Sequence, residues 1–416
     1  MRVLYHFHLQ EFPLFVSEIQ RRAITGKPIV SGGRATVTFP QFSWNNIIFL
    51  ASQLNFEKPL VDYFREKIET DVVLGIEPRT IELKKPILFA ALSFGAISDQ
   101  AKIAIARASA RLGIATNTGE GGMLPEERKE AKLLIAQYST GRFGVNDDYL
   151  QKADAIEIKI GQSAKAGQGG ILPADKVTER IAKIRKVPVG KAIYSPPRHL
   201  DLPTPEKFKE RIEEIRRIIG DKPIIIKIAA NDIETDLRVI HYLQPDIIAV
   251  DGYGGGTGAA PEVMMNNFCI PTPVAIKQIK EFMKLRDMKQ SLIASGGINI
   301  GAEMAKALAL GANAVSIGFP AMIAMGCIYC RECHLGDCMR GISTQKPELI
   351  RNFNISQAVN RLCNYVNACN EEIKMICGAQ GFDHVNKLTA ENLRVMTLEL
   401  AKALDIPLVG DIKVET

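Results

Sequence analysis

The sequence predicts an α/β protein built on a (β/α)8 TIM barrel, and three observations carry that prediction. From residue 86 onward, short apolar runs rich in β-branched residues alternate with longer amphipathic stretches, and eight such runs follow one another. Several runs, such as "PIIIKIAA" and "SLIASGG", are almost wholly apolar, as strands of a parallel sheet covered on both faces must be. The segments after the runs are rich in glycine, as loops are where the backbone turns tightly or approaches a ligand.

Residues 1–85 read as an N-terminal extension packing on the bottom or side of the barrel. They carry one helix over 12–26 ("FPLFVSEIQRRAITG") and a second over 43–55 ("SWNNIIFLASQLN"). The barrel is assigned to 86–341, with strands at 86–92, 113–118, 154–160, 188–195, 223–230, 246–252, 291–297 and 313–318. Helical patterns at 99–111, 176–186, 205–219, 233–243 and 301–310 lie between them. Residues 342–416 read as a C-terminal helical tail, with helices over 356–378 and 389–405.

Composition narrows the function. A chain of 416 residues, 46% hydrophobic and 24% charged, has material for a large core. The net charge of +6 is scattered among acids, and no basic stripe is interleaved with aromatics. Nucleic acid is therefore not an expected partner, whereas anionic cofactors and substrates are. No apolar run is long enough to span a bilayer, and "MRVLYHF" does not open a signal peptide, so no membrane partner is expected and the compartment is read as cytoplasmic.

All the strand ends of such a barrel meet on one rim, where active sites are built. The loops after the last two runs offer Gly296, Gly297 and Gly318, whose amides could face a phosphate belonging to a flavin mononucleotide or to a phosphorylated substrate. Lys227 interrupts an apolar strand and needs a partner. Glu120, in "TGEGG", is the acid nearest the rim, either handling protons or orienting backbone. "GCIYCRECHLGDCMRG" holds Cys327, Cys330, Cys333 and Cys338, half of the chain's 8 cysteines. In a reducing compartment such a cluster points to metal or catalysis rather than a disulfide. A zinc site prefers two separated ligand pairs, while an iron–sulfur cluster takes thiolates from one wrapping loop. The residues alone leave these readings open.

A family resemblance sharpens them. "LSFGAIS" (92–98), "TGEGG" (118–122), "TGRFGV" (140–145), "KIGQSAKAGQGG" (159–170), "GGGTGAAP" (254–261), "SGGINIG" (295–301) and "GISTQ" (341–345) stand in order beside cysteines spaced five residues and then four. From about residue 20 to 380 the chain resembles the synthase domain of the glutamate synthase family. The resemblance implies a flavin mononucleotide (FMN) barrel that reduces 2-iminoglutarate, formed from 2-oxoglutarate and ammonia, to glutamate. It implies a three-iron, four-sulfur cluster on Cys327, Cys333 and Cys338, with Cys330 a bystander or, in a four-iron cluster, a fourth ligand. It puts Lys165 near the substrate, Arg185 on a substrate carboxylate and Glu120 beside them. It puts Ser93, Gly95, Gln162, Lys227, Gly255, Gly256 and Thr257 on the flavin, along with Gly296, Gly297 and Gly318. Read from "AKIRKVP" alone, Arg185 is a solvated helix end.

Three departures bear on substrate identity more than on fold. Gln168 stands where a glutamate is common, Ile171 where a polar residue is expected, and Gly254 where an acid often precedes the glycines. They leave room for a relative such as N-methylglutamate synthase, or for an electron-transfer or scaffold subunit. The chain shows no N-terminal nucleophilic cysteine, so the resemblance implies separate subunits for ammonia and electrons, and an oligomer.

Overall fold

The computed structural model describes residues 16–411 apart from 17 and 52. Eight parallel strands form one sheet: β1 (Ile87–Phe89), β2 (Ala115–Asn117), β3 (Leu133–Tyr138), β4 (Ala155–Lys159), β5 (Ile224–Ala229), β6 (Ile247–Asp251), β7 (Ser291–Ser295) and β8 (Ala314–Ile317). The ladder runs β1-β8-β7-β6-β5-β4-β3-β2, so the two end strands are consecutive in sequence, and they touch to close the barrel. β2, β6 and β7 are buried along their whole length, which is why these runs contain few exposed-type residues.

The seam between β1 and β2 is held by a buried cation. Lys102, on helix α1 (Asp99–Leu112), donates to the carbonyl oxygens of Leu92 (2.7 Å) and Thr118 (2.6 Å), one beyond each end strand. Glu127 neutralises it at 2.6 Å, and both side chains are 2% exposed. α1 starts where the Ser98 hydroxyl accepts from the Ala101 amide, and it stops at Gly113, which takes the left-handed conformation. α2 (Pro125–Glu130), α3 (Asp147–Gln151), α4 (Glu179–Arg185), α5 (Pro205–Ile219), α6 (Ile233–Leu243), α7 (Thr272–Leu285) and α8 (Gly301–Ala309) follow in the connections. α9 (Ile355–Ala379) fills the eighth helical position, packing between α1 and α8. It buries Val359, Leu362, Val366, Cys369, Ile373 and Cys377 at helical spacing, so two of the cysteines outside the cluster are core residues.

The eightfold architecture is as predicted, but three elements differ. The run at 188–195 is not a barrel strand. Only Ile193–Tyr194 is extended, paired antiparallel with Ile171–Leu172 in a small sheet outside the barrel, and the third barrel strand is Leu133–Tyr138. The connection from β4 to β5 is therefore one long excursion, residues 160–223, of which residues 162–195 contribute to the rim before α5 returns along the barrel's flank. The helix expected at 43–55 is a single 3-10 turn, Trp44–Asn46, leading into strand Ile47–Phe49. That strand pairs with Leu393–Val395, which interrupts the tail helix expected at 389–405 and leaves Leu398–Leu404 helical. β-branched Ile47, Ile48 and Val395 favour this edge pairing over a helix. The first half of the helix expected at 12–26 lies largely outside the described residues. A hairpin, Val72–Ile76 with Arg79–Leu83, caps the N-terminal end of the barrel, with the Gly75 amide donating to Ser291 at the start of β7 (3.0 Å).

Candidate active site

The C-terminal rim opens into a cavity of about 400 Å³, within the range of small-molecule sites. Three walls meet there: the β6–β8 loops, the excursion after β4, and the cysteine loop. Ser93, Glu120, Gln162, Lys165, Arg185, Lys227, Gly255, Gly256, Thr257, Gly296, Gly297, Gly318 and all four clustered cysteines line it. Gly95 does not. It lies behind the wall, where its carbonyl accepts from Gln345 (3.4 Å).

The cations are arranged by strand register. Lys159 and Lys227 are partners across β4 and β5, so both side chains project on the same face of the sheet. Lys159 pairs with Glu120 at 3.4 Å. The Lys227 ammonium makes no ion pair or hydrogen bond among the described residues. Lys165, from the 3-10 turn Ser163–Lys165, is 5% exposed and likewise unpartnered. Burial, reinforced by Lys159, pushes its ammonium down to about 7.

Arg185 is not the solvated helix end that its local sequence suggests. At the C-terminal end of α4 it is 4% exposed and donates to the Phe94 carbonyl (2.7 Å), while its Nε is buried without a partner. Burial lowers it to about 10. Gly121 makes room for it, because a Cβ there would overlap the guanidinium and φ is +111°. Burial alone would raise Glu120, but Lys159, the Ser195 hydroxyl and Arg185 hold it below the ordinary range. Glu120 thus meets the Lys159 ammonium and the Ser195 hydroxyl directly, with the Arg185 guanidinium acting on it from farther off.

After β7 the backbone turns through Gly296 at φ +99° and Gly297 at +67°, and a Cβ on Gly296 would strike the Gly252 carbonyl of the neighbouring loop. Asp251 braces this side, accepting from the Ser163 amide (2.9 Å) and the Ser295 hydroxyl (3.0 Å).

All the clustered thiols are free. Cys338 is buried, Cys327 and Cys333 half-buried, and Cys330 exposed. Burial pushes the Cys327 and Cys333 thiols up. Among the described residues no three His, Cys, Asp or Glu side chains gather to hold a single metal ion. Lys176 reaches the loop from the β4–β5 excursion, donating to the carbonyls of Cys333 (2.6 Å) and Ser343 (3.3 Å). Lys159, Ser195, Lys176 and Arg34, all on the cavity wall, were not singled out from sequence. Lys159 breaks an apolar run as Lys227 does, but its alternation with Glu157 reads as an ordinary polar face.

Comparison with known proteins now decides the family. The family pattern described as "Conserved region in glutamate synthase" matches residues 51–383. The chain belongs to the glutamate synthase family. It is 37% identical over 413 residues to a protein named archaeal glutamate synthase [NADPH] from Archaeoglobus fulgidus, covering 92% of this chain and 80% of that one. It is 36% identical over 416 residues to a glutamate synthase large subunit-like protein of Rhizobium meliloti, covering 95% and 93%. Against the glutamate synthase [NADPH] large chain of Bacillus subtilis it is 30% identical and spans 21% of that protein. Solved structures agree on the barrel: a flavocytochrome b2 at TM-score 0.56 and 15% identity, covering 93% of this chain and 83% of that one, and a mandelate oxidase at 0.53 and 15%, covering 88% and 94%. Glutamate synthases are oxidoreductases, and this chain is an enzyme of that class. No helix among the described residues is long and apolar enough to cross a membrane.

Proposed function

We propose that the chain is the catalytic core of a glutamate synthase, reducing the imine of 2-oxoglutarate and ammonia to glutamate with FMN as the hydride donor. One observation carries the reading: two lysines without side-chain partners, one buried (Lys165) and one half-buried (Lys227), a buried arginine with a free Nε, a glycine cradle and the cysteine loop share one cavity. Excess buried positive charge calls for an anionic occupant.

The residues present fit FMN. Lys227, Gln162, Ser93 and the Gly255–Thr257 backbone would hold its ring system, and Gly296, Gly297 and Gly318 its phosphate end. When bound, FMN supplies two-electron hydride chemistry. Arg185, whose planar fork suits a carboxylate, binds and orients the dicarboxylic acid. Lys165, poised near neutrality, holds a proton at Nζ that it can pass to the imine nitrogen. Glu120 fixes Lys159, and the excursion after β4 excludes water from the rim. Cys327, Cys333 and Cys338 would hold a three-iron, four-sulfur cluster, which supplies one-electron transfer. Cys330, the exposed thiol, stands outside that set. Electrons and ammonia come from separate partner subunits in a multi-chain assembly.

Ile171 favours a second reading. It places an apolar group on the cavity wall, which suits a methylated amine, as in N-methylglutamate formation from methylamine and glutamate.

The test is anaerobic. The purified chain is reduced and mixed with 2-oxoglutarate and ammonia, or with 2-oxoglutarate and methylamine, whose imine is the acceptor at the N-methylglutamate level, while flavin absorbance is followed. Reoxidation requiring 2-oxoglutarate and ammonia together is expected. Reoxidation by the methylamine pair alone would replace the first reading with the second, and absence of bound flavin would overturn both.

A further inference from the structure

The glycine cradle after β7 and β8 lacks a charge. "SGGINIG" and "IGFP" contain no lysine or arginine, so backbone amides alone would face a dianionic phosphate. One cation does reach this corner, and it comes from outside the barrel. Arg34 follows the strand Val30–Gly33, which pairs antiparallel with Thr257–Pro261 beside the rim. Its Nη1 donates to Asn299 Oδ1 (3.2 Å), in the β7 loop. Its guanidinium lies 5.7 Å from the ring centroid of Phe319, the residue after Gly318. Arg34, Gly297, Asn299, Gly318 and Phe319 all line the cavity.

Among the described residues nothing neutralises this arginine. It has no ion pair among the described residues, and the nearest acid on that loop, Glu303, accepts instead from the Asn299 amide and side chain. The arginine is nevertheless held in place. Arg331 of the cysteine loop donates to its carbonyl (3.0 Å) and to Ser31 (2.9 Å), and pairs with Glu262 (3.2 Å). The Tyr329 ring packs edge-on against Phe319 (5.0 Å between centroids). A half-buried, immobilised and uncompensated guanidinium beside an uncharged amide cradle is half of an ion pair.

We propose that Arg34 is the phosphate-binding cation of the site, gripping the phosphomonoester end of the flavin nucleotide from the N-terminal extension. The assignment rests on the flavin reading above. It makes the N-terminal strand part of the cofactor site, and it gives the cysteine loop, through Arg331, a role in setting the phosphate grip.

The experiment compares FMN with riboflavin, which has the same ring system and no phosphate, on the flavin-free full-length chain. Dissociation constants are measured by fluorescence quenching for the wild type, Arg34→Ala and Arg34→Lys. Wild type is expected to favour FMN strongly. Arg34→Ala should weaken FMN about 10- to 100-fold, as for loss of a charge-assisted hydrogen bond, and leave riboflavin within about twofold. Arg34→Lys should recover part of the loss, keeping the charge but not the fork. Equal weakening of both flavins would mean that Arg34 only packs the strand, and an unchanged FMN constant would mean that it does not touch phosphate; either overturns the proposal while leaving the flavin reading intact. Wild type that binds neither flavin overturns the reading itself and the proposal with it.

Discussion

Replacing Lys165 by methionine should stabilise the flavin-free protein. The ammonium has an ordinary value of 10.5 and is pushed down to about 7 by burial and Lys159. Below pH 7 both the folded and unfolded chains carry the proton, and the folded chain bears the full penalty of a buried, unpartnered charge. Between 7 and 10.5 the unfolded chain binds more protons than the folded one, so stability rises with pH. Above 10.5 the penalty is gone. At about 1.4 kcal/mol per pH unit, the penalty is about 4 kcal/mol at pH 7 and about 2 kcal/mol at pH 9. Methionine keeps the stem packing and removes the charge. Urea unfolding of flavin-free wild type and Lys165→Met at pH 6 to 9 should therefore show the variant more stable, by a margin that halves between pH 7 and pH 9. Lys102 and Lys176, also lowered by burial, tilt both curves alike, so the difference isolates Lys165. A variant no more stable than wild type, or a margin that ignores pH, would refute the claim that this amine is buried without a partner.

Other substitutions test other parts. Cys327→Ser, Cys333→Ser and Cys338→Ser should each abolish most iron and acid-labile sulfide on anaerobic reconstitution, while Cys330→Ser retains them, as colorimetric analysis per chain will read. Glu127→Gln leaves Lys102 charged and buried at the barrel seam, and should lower stability by about 3–5 kcal/mol, seen as a reduced denaturant midpoint. The compensating pair Lys102→Met with Glu127→Leu should recover much of it. Gly121→Ala pushes the Arg185 guanidinium aside, and should raise the KM for 2-oxoglutarate about tenfold or more with FMN binding unchanged, matching Arg185→Ala in steady-state kinetics.

The helices that the sequence marks clearly are those with chemistry at both ends. Pro205–Ile219 and Ile233–Leu243 fall on their predicted bounds, because Thr204 and Asp232 cap them and Gly220 stops the first. The strands at 223–230, 246–252 and 291–297 were legible because burial on both faces leaves them little polar residue. Leu133–Tyr138 was not, since "LLIAQY" continues directly from the helical "PEERKEAK" and a short apolar run has no period of its own. The run at 188–195 looks as strand-like, and only its place on the rim excursion takes it out of the barrel.

The site divides along the same line. A lysine within an apolar strand is an anomaly that can be read directly, and Lys227 was. Arg185 and Arg34 carry no such mark. One sits among basic residues at a helix end, and the other in a polar stretch before the barrel begins. Each becomes informative only once the fold places its guanidinium on the cavity wall, buried for Arg185 and half-buried for Arg34, with no ion pair among the described residues. Glu120 shows the converse. Its position in a glycine loop leaves proton handling and backbone orientation equally open, and only the fold brings up the neighbours, Lys159, Ser195 and Arg185, that hold its carboxyl below the ordinary range. Charge balance at the rim is thus a property of the assembled barrel. With Lys165, Lys227, Arg185 and Arg34 set against few acids, the cavity is built to be completed by anions, and its specificity lies in where each cation waits.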